Sequence, residues 1–193
     1  AVAARMETGQ NFPIACVPTD YGVEGLWPHL YTDLFCAADD FMIKELLPRR
    51  VPRDHIAVTG IPVRVGFDEE HDTVAIRERF SLPQDKMIAL VMAGAKYSEP
   101  YFPFRRIVEP MFGELSNFLD MHFVFLAGED YTYAEHLKQV FNERGITNVS
   151  VFNYVEDMVD LMSASDLIVA KSGGLAVTEC ICARLPLILV GKS

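Results

Sequence analysis

The chain lacks any apolar run long enough to span a bilayer, and its first residues do not have the charged-then-apolar form of a signal peptide. It also lacks sequence repeats and low-complexity tracts. Basic residues are scarce: 17 Lys and Arg stand against 27 Asp and Glu, a formal net charge of −10. Binding a phosphate backbone needs a basic face, so nucleic acid is excluded as a general partner. The deficit is uneven, −2 over residues 1–66 and −8 over residues 67–193. The only basic cluster, Arg49, Arg50 and Arg53, reads as a solvated helix end. Cysteine is limited to Cys16, Cys36, Cys180 and Cys182, each in apolar surroundings. Cys180-x-Cys182 has neither zinc spacing nor a nearby His or Cys, so reduced core thiols in a cytoplasmic protein are expected. No carboxylate pair stands out as a metal site. Gly191-Lys-Ser193 imitates the end of a P-loop, but Pro186 occupies the place of the required glycine.

What the chain does have is 50% hydrophobic residues, enough for a core, in apolar runs that alternate with helical stretches. Ile14–Val17, Leu34–Ala37 and Ile56–Thr59 read as strands, with a helix over Asp40–Arg50. An acidic, loop-like stretch comes next at 68–72. Further helices are expected over 74–80, 104–119, 133–144, 155–164 and 175–184. Strands are expected over 87–93, 122–127, 149–152, 167–170 and 187–190. Continuous apolar strands separated by helices indicate a parallel sheet covered on both faces. Pattern and charge both change near Gly66, which places a boundary there, with 1–66 and 67–193 as the two parts. The opening residues read as the tail of a helix, and the closing strand is followed by only three residues. A segment of a longer protein is therefore expected. His122 and His136 read as strand and helix surface residues.

In a parallel sheet, ligands sit beyond the carboxyl ends of the strands. The loops at those ends are Met92–Lys96, Gly128–Asp130, Asn153–Val155 and Ser172–Gly174. The last lies in Asp166-Leu-Ile-Val-Ala-Lys-Ser-Gly-Gly-Leu-Ala-Val-Thr-Glu179, a buried strand, a turn without bulky side chains, then a helix. A helix that starts there points unpaired N–H groups and a positive dipole end out of the sheet. The glycines let a phosphate oxygen reach those groups. Glu179, just over one turn inside the helix, offers two oxygens to a pair of hydroxyls such as a ribose diol. Taken alone, the stretch reads equally as a nucleotide diphosphate seat or as a simple strand-to-helix turn. Trp27 and His29 read either as the border of a crevice or as core packing.

Several motifs in order extend that reading. They are Thr19-Asp20-Tyr21, Trp27 with His29 and Asp33, Val58-Thr-Gly-Ile-Pro-Val-Arg64, Met92-Ala-Gly-Ala95, and Lys171-Ser-Gly-Gly-Leu175 through Glu179. With them, essentially the whole chain resembles glycosyltransferases of the monogalactosyldiacylglycerol synthase and processive diacylglycerol glucosyltransferase type. These are relatives of the bacterial transferase that adds N-acetylglucosamine to the peptidoglycan lipid intermediate. The resemblance implies the GT-B fold, α/β with two Rossmann-like parallel-sheet domains. Residues 1–66 would then be the end of the acceptor-binding domain and the interdomain linker, and residues 67–193 a C-terminally truncated nucleotide-sugar domain. It implies hexose transfer from a UDP-sugar to a lipid acceptor, diacylglycerol-like, with inversion. No metal or other cofactor would be involved, and the protein would be cytoplasmic, peripheral at the inner face of the cell membrane.

The resemblance also places residue roles. Uracil would meet the backbone at Val155 and ribose would meet Glu179. The diphosphate would meet Arg64, Lys171 and the turn of Ser172, Gly173, Gly174, Leu175 and Ala176, with Gly94 and Ala95 leaving room nearby. Asp20, Trp27 and His29 would lie on the acceptor side, and the catalytic base would lie in an N-terminal part that this chain does not include. The sequence departs from the family in having Ala176 where threonine is usual, Glu24 where histidine is frequent, and fewer glycines around Gly94. Two other classes stay open: a UDP-N-acetylglucosamine-type transferase or 2-epimerase, and a non-catalytic nucleotide-sugar-binding module.

Overall fold

The computed structural model describes residues 1–25, 27, 31–94 and 101–191. The chain divides into two compact units, Ala1–Val63 and Arg64–Ser193. In the first, helix α1 (Val2–Thr8) precedes strands β1 (Ala15–Cys16), β2 (Leu34–Ala37) and β3 (Ile56–Val58), and helix α2 (Asp40–Leu46) joins β2 to β3. The strands pair in parallel in the order β1-β2-β3. Strand β1 is shorter than expected because Pro13 and Pro18 flank it and can give no ladder N–H. Helix α2 is also shorter than expected. Pro48 cannot donate to the carbonyl of Lys44, and Leu47–Arg49 tighten into a 3-10 turn. Phe35, Ala37, Met42, Leu46, Val51 and Ile56 close the core of this unit. At the start of α2 the Asp39 carboxylate accepts the N–H of Met42 at 2.9 Å. Asp39→Ala leaves that N–H uncapped and should cost about 1 kcal/mol, read as a lowered denaturant midpoint with unchanged slope.

The second unit runs α3 (Thr73–Arg79), β4 (Met87–Met92), α4 (Phe102–Val108), β5 (Met121–Leu126), α5 (Tyr131–Glu143) and β6 (Val149–Phe152). It continues with α6 (Met158–Ser163), β7 (Leu167–Ala170), α7 (Gly174–Cys182) and β8 (Leu187–Leu189). All five strands are parallel, in the order β6-β5-β4-β7-β8. Ala89, Val91, Phe123 and Phe125 pack on one face with Phe104, Phe112, Leu137 and Phe141. Alternation sends Ile88, Leu90 and Val124 to the other face, where they too are fully buried. Both faces of the sheet are thus apolar, which is why its strands read as unbroken apolar runs.

Two helices differ from expectation. The helix expected over 104–119 is α-helical only through Val108. Pro110 breaks the i to i−4 pattern and Gly113 weakens the next turn, so Glu109–Asn117 forms a 3-10 helix. Helix α6 begins only at Met158, which leaves Asn153–Asp157 as a loop. The chain builds outward from β4 to β5 and β6, then returns to place β7 on the other side of β4. Strand order therefore reverses between β4 and β7, and a ligand crevice is expected beyond their carboxyl ends.

Candidate functional site

The loop after β7 leads directly into α7. The first intrahelical bond runs from Val177 N to Gly173 O at 3.0 Å, so the N–H groups of Gly174, Leu175 and Ala176 precede any helical partner. Gly173 is the N-cap residue and has no side chain to satisfy them. Ser172, one residue too early to cap, holds its Oγ buried and without a hydrogen-bond partner among the described residues. A Cβ built on Gly173 meets nothing within 4 Å. The turn is open, its donors are available, and the dipole of a nine-residue helix points out through it.

Glu179 lies about 7.5 Å along the helix axis from Gly174. Burial pushes its carboxyl above the ordinary range, and the positive charge of Arg64 opposes that shift. Arg64 belongs to the same unit, where its Nη1 donates to the carbonyl of Glu156 at 2.7 Å. That bond ties Arg64 to the loop after β6, beside Val155. The Asn153 side-chain oxygen in this loop is also buried without a partner among the described residues. Strand β6 is three positions from β7, about 14 Å at normal strand spacing. Arg64 is bonded to the Glu156 carbonyl, and its positive charge is felt at Glu179. Lys171 places its Nζ 5.4 Å from the ring centre of Tyr101, the residue that opens α4. Gly94 lies just past β4, and a Cβ there would stand 2.0 Å from the carbonyl oxygen of Ala127.

The structure thus brings Arg64, Val155 and Glu179 into one neighbourhood and sets the 172–176 turn and Lys171 at the strand-order reversal. Ala95 and His29 lie outside the described residues. In the first unit, the indole of Trp27 stacks 5.7 Å from the ring of Phe35 and joins the core, the packing alternative of its two sequence readings. Asp20 is exposed, and its carboxylate accepts the N–H of Tyr21 at 2.9 Å. Asp33 anchors the start of β1, accepting from Ile14 N at 2.7 Å and from Arg5, and those bonds hold its carboxyl below the usual range.

Three features went unread in the sequence: Tyr101 beneath Lys171, the carbonyl of Glu156, and the contact between Gly94 and Ala127. Only the first leaves a local trace, as an aromatic just before the Phe-Pro that opens a helix. The cysteine expectation needs correcting for Cys182, which is exposed while Cys180 is buried. Two residues along a helix turn about 200°, so both cannot face the core. Among the described residues no group of three or more His, Cys, Asp or Glu side chains is placed to hold a metal ion. A cavity of about 410 Å³ lies on one sheet face, lined by apolar residues such as Val91, Met111, Val169 and Ile188. Its one charged lining residue is Glu114, so it offers nothing to a diphosphate.

The family model for the glycosyltransferase family 28 C-terminal domain matches residues 90–192. The chain belongs to glycosyltransferase family 28. The match includes the 172–176 turn and Glu179. The chain is 28% identical over 186 residues to a processive diacylglycerol beta-glucosyltransferase of Bacillus licheniformis, covering 96% of this chain and 46% of that protein. To the Bacillus subtilis protein of the same name it is 28% identical over 185 residues, covering 96% and 47%. The chain therefore spans about half the length of the curated relatives it matches. Among solved structures it is similar to S. aureus MnaA with UDP, at TM-score 0.64 and 15% identity, covering 97% of this chain and 53% of that one. It is also similar to Anabaena HepE with UDP, at TM-score 0.61 and 12% identity, covering 97% and 55%. A third is the Neisseria meningitidis UDP-GlcNAc 2-epimerase bound to UDP-GlcNAc, at TM-score 0.60 and 15% identity, covering 97% and 54%. At such identities the likeness is one of fold, the GT-B-like α/β architecture of parallel sheets expected from the sequence.

Proposed function

We propose that the complete protein transfers a hexose from a UDP-sugar to the hydroxyl of a diacylglycerol-like lipid, with inversion at the anomeric carbon. The observation that carries this reading is the uncapped N-terminus of α7 at the strand-order reversal, with Glu179 on the same helix and Arg64 beside it. The names of the curated relatives support the acceptor class, and the UDP bound in HepE and MnaA supports the donor. In this reading residues 67–193 bind the nucleotide-sugar and residues 1–66 contribute to the acceptor side, with Asp20 the exposed candidate there.

The lipid hydroxyl attacks the anomeric carbon and gives its proton to a base outside the residues assigned here, as the bond to UDP breaks and negative charge grows on the diphosphate. The N–H groups of Gly174, Leu175 and Ala176, with Lys171 and Arg64, meet that charge. Each well-placed donor of this kind contributes about 3 kcal/mol to transition-state stabilisation. Positive charge is thus supplied without a bound metal or other cofactor. The acceptor is a membrane lipid, so the protein works peripherally at the inner face of the membrane. No helix among the described residues is long and apolar enough to cross it.

Calorimetric titration with UDP, ADP and GDP in parallel tests the donor assignment. Micromolar binding of UDP alone, about −8 kcal/mol, is the expected outcome. Gly173→Ala separates a phosphate seat from a plain turn. Its methyl meets no protein atom, so the melting temperature should hold, while UDP affinity should fall about tenfold as the methyl takes the phosphate's space. Unchanged UDP affinity in that variant would remove the phosphate from this turn.

A further inference from the structure

Residues 64–72 are fastened along α6 and the loop before it by contacts that the donor site does not itself require. Arg64 donates to the carbonyl of Glu156 at 2.7 Å. Gly66 has φ +113°, and a Cβ there would lie 3.3 Å from Val159 Cγ1, so this turn sits tightly on α6. The carbonyl of Gly66 accepts from His71 Nε2 at 2.8 Å. His71 Nδ1 faces Asp160 Oδ1 at 3.3 Å, and the other oxygen of Asp160 accepts from Arg79 Nη2 at 2.6 Å. A carbonyl and a carboxylate both only accept, so the imidazole bridges Gly66 and Asp160 when each ring nitrogen of His71 carries a hydrogen. The imidazole thereby joins the turn two residues after Arg64 to the helix that comes after Val155.

We propose that His71 is a positioning residue for the nucleotide diphosphate, holding the Gly66 turn against Asp160 so that Arg64 presents its guanidinium to the phosphates. The proposal rests on the reading that Arg64 meets the diphosphate. The side chains of His71 and Asp160 are 16% and 30% exposed, a partly solvated pair whose net contribution to stability is small. Its effect on ligand geometry is therefore separable from its effect on folding. The structural alternative, a pair that merely trims the surface, predicts no preference between ligands with and without phosphates.

The test titrates the full chain with UDP and with uridine, comparing the parent with Arg64→Ala, His71→Ala and the double variant. His71→Ala should bind UDP about tenfold more weakly, the scale of one charge-assisted hydrogen bond, while uridine affinity stays at the parent value. In the Arg64→Ala background, His71→Ala should cause no further loss, because both act through one contact. His71→Gln keeps an N–H near the ε position and should recover most of the UDP affinity. His71→Phe fills the same space without a donor and replaces His71→Ala if the latter does not fold. Equal losses of UDP and uridine, or additive losses in the double variant, overturn the proposal. If Arg64→Ala weakens UDP and neither His71→Ala nor His71→Phe does, positioning by His71 fails and the diphosphate role of Arg64 stands. If Arg64→Ala binds UDP like the parent, the diphosphate role of Arg64 fails and the positioning proposal fails with it.

Discussion

Glu179→Ala should bind UDP about 100-fold more weakly than the parent, near 2.7 kcal/mol, the loss expected when a carboxylate gives up two hydroxyl partners. The carboxyl is half-buried on α7, one turn past the donors of Gly174, Leu175 and Ala176, and in the proposed reading it meets the ribose of a ligand held there by its phosphates. UDP lacking both ribose hydroxyls supplies the control: parent and variant should bind it equally. Calorimetry on the four combinations reads the result, and undiminished UDP binding by the variant would show that ribose lies elsewhere.

The same residue gives stability a pH dependence of known sign. Burial holds the folded carboxyl above its ordinary value of 4.5, so between 4.5 and that raised value the folded chain holds more protons than the unfolded chain. Stability contributed by this group is then complete below 4.5, declines as pH rises through the window, and is level above it. Glu179→Gln should remove this slope from the denaturation midpoints.

Gly94→Ala should destabilise the protein by about 3 kcal/mol. A Cβ at this position would stand 2.0 Å from the carbonyl oxygen of Ala127, 2.6 Å from its carbon and 3.0 Å from its Cα. These are backbone atoms, fixed by ladder bonds from Ala93 N to Leu126 O and from Ala127 N to Phe152 O, each 2.9 Å. Ala93 and Ala127 are held in place by those bonds, so thermal unfolding should report the cost directly. A melting temperature within a degree or two of the parent would mean that the contact between Gly94 and Ala127 is looser than this packing requires.

Gly94 and Gly173 show where sequence reading stops. Both stand at strand ends and both read as room for a ligand, yet only Gly173 faces open space. Gly94 is small because another stretch of backbone lies against it, and no local pattern reveals which loop that is. The strands were legible because burial on both faces leaves each one a continuous apolar run, as in Met87–Met92. Helix ends were less legible, and Pro48 and Pro110 truncated two of them. The turn before α7 and Glu179 could be read because turn, helix start and carboxylate succeed one another within eight residues. Arg64 reaches the carbonyl of Glu156 across 92 residues, and His71 reaches Asp160 across a similar span, so only the folded chain displays those contacts.

The reversal of strand order also bears on how the protein comes to exist. Strand β7 pairs with β4, and the bond between Ile88 and Asp166 at the start of that pairing closes a gap of 78 residues. Closing so long a loop costs entropy before any contact compensates, so this pairing belongs among the late events of folding. In sequence, β4, β5 and β6 all precede β7, so one edge of β4 waits for a strand that comes after them, and the turn before α7 follows that strand. In the proposed reading, nucleotide binding at that turn is therefore coupled to the pairing of β7 with β4. On that reading, ligand that binds only the folded chain favours the closed sheet, and a substitution that weakens the β4–β7 pairing lowers apparent nucleotide affinity.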